Sequence, residues 1–108
     1  MSRSYFVYIM ASKSGVLHIG STNELERRVA EHKRGLIEGF TKKYKVTRLV
    51  YVEEFERAAQ MVTRERELKG WTRKRKLALI HDQNAAMVDY ARTDYARRTA
   101  RDPSLRSG

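Results

Sequence analysis

Three short segments of the chain have the apolar pattern of β-strands. Residues 5–10 are mostly aromatic or β-branched without helical spacing, and they end near residues 12–15, which favour a turn. Residues 16–20 form a second short run, and because only a few residues separate the two runs, we expect an antiparallel hairpin. A polar loop over residues 39–45 then leads to residues 47–55, whose valine and tyrosine content predicts a third strand.

A first helix is predicted near residues 24–34, between the hairpin and the third strand. Thr22 or Asn23 can cap its start, and Glu26 stands three residues after Asn23 as a capping-box partner. Gly35 can end the helix in a left-handed conformation.

Two further helices are predicted after the third strand, because apolar residues there change to a spacing of three and four. In the second helix these residues are Ala58, Met61, Val62, Leu68 and, at its end, Trp71. Thr72 can cap the last helix. The apolar residues of the last helix are Leu77, Ala78 and Ile80.

The order strand, strand, helix, strand, helix, helix predicts an α+β domain with a small three-stranded antiparallel sheet flanked by helices. We place this domain at residues 1–83. From residue 84 the apolar pattern thins, and residues 89–93 are nearly repeated at 94–98, which indicates a local duplication. Residues 84–108 are therefore predicted to be a C-terminal extension, partly helical or disordered.

The size and charge of the chain narrow the classes of function. Its 108 residues, 41% of them hydrophobic, suffice for one domain with a modest core. Lysine and arginine number 23 against 13 for aspartate and glutamate, so the formal charge of +10 creates a field that concentrates polyanions. Nucleic acid is the first partner to consider, although a basic balance also serves solubility or attraction to an anionic membrane.

Several features are missing from the sequence. It contains no cysteine, which rules out disulfides, thiolate metal sites and a cysteine nucleophile. The apolar run over residues 5–11 is too short for a signal peptide or a membrane span. We therefore expect a cytoplasmic protein without a membrane partner or a small-molecule cofactor, and the sequence indicates no oligomeric state.

Two polar residues lie on the apolar face of the first predicted helix. Arg28 and His32 share this face with Leu25 and Val29, and their i,i+4 spacing brings the two polar side chains together. Either they lie at the border of the face with their charges in solvent, or they belong to a site.

A carboxylate interrupts the apolar stripe of the second predicted helix. Glu65 lies three or four positions from Met61, Val62, Leu68 and Lys69. Because burial of an isolated charge is costly, this carboxylate must be paired, bind a metal ion or stand at the edge of a cleft. An ordinary helical ion pair between Glu65 and Lys69 also explains it.

Together these residues have the chemistry of a phosphodiester-cleaving site. Such a site needs a cation for the phosphate, a hard oxygen ligand for a divalent metal ion, and an acid–base group near the attacking water. Arg28 can supply the cation and Glu65 the oxygen ligand. Tyr8, His18 or His32 can supply the acid–base group.

A series of short motifs occurs in order within residues 5–81. The motifs are Phe6-Val7-Tyr8, His18-Ile19-Gly20, the segment 25–32, Arg64-Glu65 and Leu68-Lys69-Gly70-Trp71. The series resembles the GIY-YIG nuclease superfamily, and most of all its short stand-alone bacterial members, which are related to the nuclease domain of an excinuclease. Each motif alone is weak, whereas the ordered set in matching strand and helix contexts is specific.

The resemblance implies roles for four polar residues. Tyr8 is similar to the tyrosine that ends the family's first motif, which lies beside the scissile phosphate as a general base or water-positioning group. Arg28 matches the arginine that binds the phosphate, and His32 matches a histidine near the nucleophile. Glu65 matches the glutamate that binds one divalent ion, usually Mg²⁺ or Mn²⁺. The implied reaction is one-step hydrolysis by an in-line water.

His18 departs from the family pattern, because the second motif normally has a tyrosine at this position. An imidazole can still accept or relay a proton, so activity either persists with a changed pH optimum or is lost. Phe6 and Val7 also replace the glycine and isoleucine of the first motif, which changes strand packing more than chemistry.

The primary hypothesis is therefore a metal-dependent endonuclease that hydrolyses phosphodiester bonds in DNA, selects structure rather than sequence, and acts in repair or recombination. The catalytic group would comprise Tyr8, His18, Arg28 and His32, with Glu65 as the metal ligand. The alternative is a catalytically weakened nucleic-acid-binding module on the same fold. A remoter alternative is a basic interaction protein unrelated to nucleases.

Basic residues outside this group are candidates for contacts with the DNA backbone. The predicted nucleic-acid-binding residues are Lys42, Lys43, Lys45, Lys69, Arg73 and Lys74, and Arg48, Arg75 and Lys76 extend the two basic runs. Such contacts supply affinity and salt dependence without sequence information, and each run is equally explained as a solvated charged face. Tyr44 and Trp71 can stack on bases, or Trp71 can form part of the core or a cleft wall.

Overall fold

The computed structural model describes residues 4–37 and 39–91, so the predictions for residues 92–108 lie outside the described residues. The strands are β1 (Tyr5–Ala11), β2 (Leu17–Thr22) and β3 (Arg48–Phe55). The helices are α1 (Leu25–Lys33), α2 (Phe40–Lys43), α3 (Ala58–Lys69) and α4 (Arg73–Gln83). The three-stranded antiparallel sheet with its helices confirms the predicted α+β fold. Within the described residues, no helix is long and apolar enough to cross a membrane.

Strand β1 is the centre of the sheet, which has the order β2-β1-β3. Its apolar residues do not alternate with polar ones because helices pack against both faces. One core consists chiefly of Val7, Ile9, Ala11 and Val50 with Leu68 of α3 and Ile80 of α4. The other core consists of Tyr8, Met10, Val46, Leu49 and Val29 of α1. Tyr8 therefore places a polar hydroxyl inside the second core.

The start of α1 differs from the prediction. Glu24 is the N-cap residue and makes no side-chain capping bond, so the predicted caps, Thr22 or Asn23 with Glu26, are wrong. The Thr22 hydroxyl instead accepts a hydrogen bond from the Glu24 amide at 3.0 Å. This bond closes a turn before the first residue of the helix, so the hydroxyl does not cap an amide inside the helix. Gly35, with a φ of 69°, ends the helix in the left-handed conformation as predicted.

The predicted loop over residues 39–45 and the predicted cap of α4 had opposite outcomes. The segment 39–45 is not wholly a loop, because α2 forms one turn there with a bond of 2.9 Å from the Lys43 amide to the Gly39 carbonyl. A single turn is too short to show apolar periodicity. The cap of α4 is confirmed, since the Thr72 hydroxyl accepts a hydrogen bond from the Arg75 amide at 3.2 Å.

Residues 84–91, which we call the C-terminal strap, return from α4 to the sheet. The strap makes turns rather than a helix. The Asn84 side-chain amide donates to the Val50 carbonyl at 3.1 Å, and the Tyr90 amide donates to the Leu49 carbonyl at 2.8 Å. The strap is thus attached to β3 at both of its ends, while the division of the chain at residue 83 stays a prediction.

Candidate active site

A buried hydrogen bond joins the central strand to α1. The Tyr8 hydroxyl lies 2.9 Å from Nε2 of His32, and both residues are almost fully buried, at 1% and 2% exposure. His32 is therefore not a border residue of its helix. Arg28, one turn earlier, does lie at the border, because 44% of its side chain is exposed. The same helix face thus carries one buried imidazole and one accessible cation.

Gly20 makes room for the Tyr8 ring. The two residues are paired across β1 and β2, and a Cβ atom on Gly20 would come within 2.4 Å of the Tyr8 hydroxyl. Any side chain at this position would therefore displace the ring. The sequence alone does not predict this contact, because it depends on the register of the sheet.

His18 completes an aromatic group around this bond. Its ring centroid lies 5.1 Å from that of His32 and 6.3 Å from that of Tyr8. His18 is two residues before Gly20 on β2, so the alternation of the strand places both on the same face of the sheet. The structure thus brings together the three acid–base groups that the sequence proposed.

Glu65 reaches the edge strand β2 from α3. One carboxylate oxygen accepts a hydrogen bond of 2.6 Å from the Ser21 hydroxyl, and the other lies 3.0 Å from Nζ of Lys69. The helical ion pair with Lys69 therefore exists. The bond from Ser21 also joins Glu65 to the sheet, and helical spacing does not predict this contact. Ser21 could not be found from the sequence, because the two hydrogen-bonded residues are 44 positions apart.

An open cavity of about 460 Å³ lies beside these residues. Its lining includes Ser21 from β2, Arg28 and Glu31 from α1, and Met61 from α3. Nη1 of Arg28 is 3.3 Å from the Glu31 carboxylate, and Glu31 was not among the predicted site residues. Because Arg28 is accessible from this cavity, it can meet an anionic group there.

Burial controls the proton affinity of the Tyr8–His32 pair. Removal from water raises the pKa of Tyr8 to about 12, although the positive charge of Arg28 acts in the opposite direction. Burial also lowers the pKa of His32, and the charge of Arg28 adds to that effect. At neutral pH the bond therefore joins a protonated phenol to a neutral imidazole.

Burial and neighbouring groups leave His18 and Glu65 in different charge states. Burial, followed by repulsion from His32 and Lys69, lowers the pKa of His18 to about 4. Burial alone would raise the pKa of Glu65, but hydrogen bonds from Ser21 and Lys69 outweigh it and hold the pKa below its ordinary value. At neutral pH, His18 is uncharged and Glu65 is an anion.

Glu65 offers an ionised carboxylate that could hold a divalent cation in this site. Among the described residues, no three His, Asp or Glu side chains converge in a way that could bind a metal ion. Mg²⁺ often takes only one or two protein carboxylates and completes its coordination with water and substrate phosphates. Glu65, an ionised carboxylate whose partner Ser21 lines the open cavity, fits this mode of binding.

Two of the three lysines in the 42–45 run line a separate groove of about 740 Å³. Lys42 and Lys45 line it together with Lys13 of the β1–β2 turn, and His32 is also one of its lining residues. Lys43 lies outside that lining, with its ammonium group 5.3 Å from the ring of Tyr44. The groove and the cavity therefore lie at neighbouring positions along α1.

The basic residues at the start of α4 differ in their surroundings. A Cβ atom on Gly15 would meet the Arg73 guanidinium at 2.9 Å, so Arg73 lies against the β1–β2 turn. Arg75 stacks over Trp71 at 4.0 Å, and Trp71 packs against the core as a wall residue. Lys74 is exposed.

Arg48 has a structural role in the fold. Its guanidinium donates hydrogen bonds to the carbonyls of Ser12 and Met87, at 2.8 Å and 3.3 Å. These two bonds join the β1–β2 turn to the strap, while the interpretation that Arg48 extends the phosphate-binding run stays a prediction.

Comparisons with known proteins agree with the arrangement of strands and helices. Residues 4–78 match the family model of the GIY-YIG catalytic domain. The chain is 38% identical over 80 residues to a UPF0213 protein of Staphylococcus aureus strain Mu3, and the match covers 74% of this chain and 98% of that one. Staphylococcus aureus strain N315 has an equally similar UPF0213 protein. The solution NMR structure of a UPF0213 protein from Bacillus halodurans is similar with a TM-score of 0.54 at 24% identity, covering 83% of this chain and 96% of that one. This last likeness bears on the fold alone.

Proposed function

Because the chain belongs to the family of the GIY-YIG catalytic domain, as its motifs predicted, we propose that it is an endonuclease that hydrolyses phosphodiester bonds in DNA. The observation that carries this proposal is the buried hydrogen bond between Tyr8 and His32. Arg28 and Glu65 both act electrostatically on Tyr8, so a cation and an anion lie close to the same hydroxyl. This is the set of groups that hydrolysis of a phosphodiester requires.

Arg28 binds the scissile phosphate in this proposal. Its side chain is partly exposed beside the cavity, where a guanidinium can form two hydrogen bonds to phosphate oxygens. The ion pair with Glu31 orients it before DNA binds. The negative charge that develops on the phosphoryl oxygens is then stabilised by a cation already in position.

Tyr8 and His32 transfer the proton of the attacking water in this proposal. A phenol with a pKa of about 12 is protonated at neutral pH, so Tyr8 can act as a base only if it passes its own proton onward. His32 Nε2 is 2.9 Å away, and because its lowered pKa leaves the imidazole neutral at neutral pH, this nitrogen has a lone pair that can accept the proton. Tyr8 then takes up the proton of the water as the water attacks phosphorus.

Glu65 would hold one divalent ion, Mg²⁺ or Mn²⁺. When bound, such an ion stabilises negative charge on the leaving oxygen. Ser21 keeps one Glu65 oxygen in a fixed orientation, while Lys69 shares the other oxygen and neutralises the carboxylate before DNA arrives. Lys69 is more than half exposed, so it can turn toward a DNA phosphate when it leaves Glu65.

The groove of Lys13, Lys42 and Lys45 supports recognition of the DNA backbone. Lysine contacts to phosphates supply affinity without reading bases, so we propose that substrates are selected by their structure rather than their sequence. Lys43, Arg73 and Lys74 would add further phosphate contacts. We further propose that the protein acts in the cytoplasm, in DNA repair or recombination.

The proposal is tested by cleavage of labelled duplex, branched and single-stranded DNA at low salt with Mg²⁺ or Mn²⁺. We expect cutting that stops with a chelator and with Glu65→Ala. Glu67→Ala is the matched control, because Glu67 lies two positions away on α3 and pairs with Arg64 instead of facing β2. If every substrate stays intact in both metals across pH, the endonuclease proposal is wrong.

His18 favours one alternative, a nucleic-acid-binding module with weakened catalysis. His18 stands where the family has a tyrosine, and its pKa of about 4 makes it a poor proton donor at neutral pH. The same cleavage assay with His18→Tyr distinguishes the two functions. The alternative requires that the wild-type protein binds DNA without cutting it and that the tyrosine restores cutting.

A further inference from the structure

Helix α1 carries both Arg28 and His32, yet it has only nine residues. A helix of this length is marginal without tertiary contacts. Its buried residues are Val29 and His32, in its second half, and the residue that follows them, Lys33, ends the helix. How the C-terminal end of α1 is held therefore decides how firmly His32 lies against Tyr8.

Lys33 joins α1 to two other parts of the chain. Its ammonium group donates to the Thr47 carbonyl at 2.9 Å, just before β3, and also pairs with Oδ2 of Asp89 in the strap. About a third of the Lys33 side chain is exposed, whereas only 8% of the Asp89 side chain is. A buried carboxylate needs such a partner, because an unpaired charge in this environment is costly.

Asp89 uses its two oxygens for different purposes. Oδ1 accepts hydrogen bonds from the amides of Leu49 and Ala91, at 3.0 Å and 2.9 Å, and so fixes the strap on β3. Oδ2 pairs with Lys33 and so connects the strap to α1. One side chain thus joins the sheet, the strap and the helix.

The strap is itself ordered by Asn84. The Asn84 side chain accepts from the Val88 amide at 2.9 Å and donates to the Val88 carbonyl at 2.9 Å, which closes a compact turn just before Asp89. Beyond Asp89, Tyr90 and Ala91 pack against the core that contains Val29 of α1. The strap residues that make these contacts lie outside residues 4–78, the part of the chain that matches the catalytic-domain family.

We propose that Asp89 is a positioning residue that, through Lys33, holds α1 so that His32 stays hydrogen-bonded to Tyr8 and Arg28 faces the cavity. The effect on cleavage rests on the proposed endonuclease function, but the effect on α1 does not. Loss of the Asp89–Lys33 pair loosens the last turn of α1, because Lys33 keeps its bond to the Thr47 carbonyl but loses its link to the strap. His32 directly precedes Lys33 in that turn.

Asp89→Asn separates the two purposes of this side chain. The amide oxygen can still accept from the Leu49 and Ala91 amides, whereas the NH₂ group cannot pair with an ammonium ion. Lys33→Met removes the same pair from the other side, together with the Lys33 bond to the Thr47 carbonyl. Asp82→Asn is the matched control, because Asp82 is an exposed aspartate at the end of α4.

Amide hydrogen exchange of the full chain, measured by NMR without DNA or metal, tests the proposal. In Asp89→Asn and in Lys33→Met we expect exchange at residues 29–33 to become at least about tenfold faster, while the Leu49 amide stays protected. The double variant should exchange no faster than Lys33→Met alone, and Asp82→Asn should match the wild type. Unchanged exchange in α1, or an equal loss of protection throughout the molecule, overturns the proposal.

Single-turnover cleavage then tests the consequence for the reaction. We expect Asp89→Asn to lower the cleavage rate about tenfold, while the Kd for DNA measured with chelator stays within about twofold of the wild type. Equal rates for the two proteins would contradict the positioning role. A wild-type protein that does not cut would contradict the endonuclease function and leave the exchange result as the test of the contact between Asp89 and Lys33.

Discussion

At the scale of single residues, the Tyr8 hydroxyl can be buried where it is because Gly20 has no side chain to occupy the same space. The polar residues of α1 and α3 were predictable, because Arg28, His32 and Glu65 interrupt apolar stripes and match the motifs. The closeness of Gly20 to Tyr8 was not predictable in this way, because it depends on how β1 and β2 pair. Helical periodicity identifies residues on one face but does not identify their partners on another element.

Gly20→Ala tests the close packing of β2 on Tyr8. The new Cβ would lie 2.4 Å from the Tyr8 hydroxyl, so the ring must move, and we expect a loss of about 1–3 kcal/mol in the free energy of unfolding. Urea denaturation measures this loss. Gly70→Ala is the control, because its Cβ would make only an ordinary contact at 3.5 Å. Equal stability of Gly20→Ala and the wild type would contradict the described packing.

At the scale of elements, the site forms where α1 and α3 approach strand β2. The three strands and the longer helices were predictable from apolar spacing, with ends displaced by one or two residues. The single-turn α2 and the strap were not, since neither has a periodic apolar pattern. Both depend on hydrogen bonds to particular backbone groups, such as the bond from Tyr90 to Leu49.

Ser21→Ala tests how β2 orients the carboxylate on α3. Loss of the 2.6 Å hydrogen bond leaves Glu65 held only by its own helix, and we expect the Mg²⁺ concentration for half-maximal cleavage to rise by about tenfold or more. A titration of the cleavage rate with Mg²⁺ measures this shift. Ser14→Ala is the control, because Ser14 bonds to Ser12 in the β1–β2 turn. An unchanged Mg²⁺ requirement would show that Ser21 does not orient the ligand.

At the scale of the whole molecule, the α+β fold followed from the order of elements, and the charge of +10 pointed to a polyanion. The sequence could not reveal that burial of His18 and His32 makes the free energy of unfolding depend on pH. His18 has a pKa of about 4 in the folded state against 6.5 as its ordinary value, and the pKa of His32 is lowered too. Between about pH 4 and pH 6.5, the unfolded chain therefore binds more protons than the folded chain.

We accordingly expect the free energy of unfolding to fall as the pH is lowered from about 6.5 toward 4, with His18 contributing at most about 1.4 kcal/mol per pH unit. The stabilisation from a neutral His18 is complete above its unfolded pKa and is lost below it. Urea denaturation at several pH values measures the slope. His18→Phe should reduce the slope, whereas His81→Phe, at an exposed position, should not. A slope unaffected by His18→Phe would contradict burial of a neutral imidazole.

The most direct test of the proposed mechanism is single-turnover cleavage of DNA by Tyr8→Phe. This substitution keeps the buried ring and removes only the hydroxyl that bonds to His32. Tyr51→Phe is the matched control, because Tyr51 is also buried in the sheet and its hydroxyl bonds to Glu53.

We expect Tyr8→Phe to cut at least about 100-fold more slowly than the wild type, while Tyr51→Phe cuts at nearly the wild-type rate. DNA binding measured with chelator should be the same for all three proteins. Cleavage by Tyr8→Phe at the wild-type rate would contradict the proton transfer from Tyr8 to His32 on which the proposed function rests.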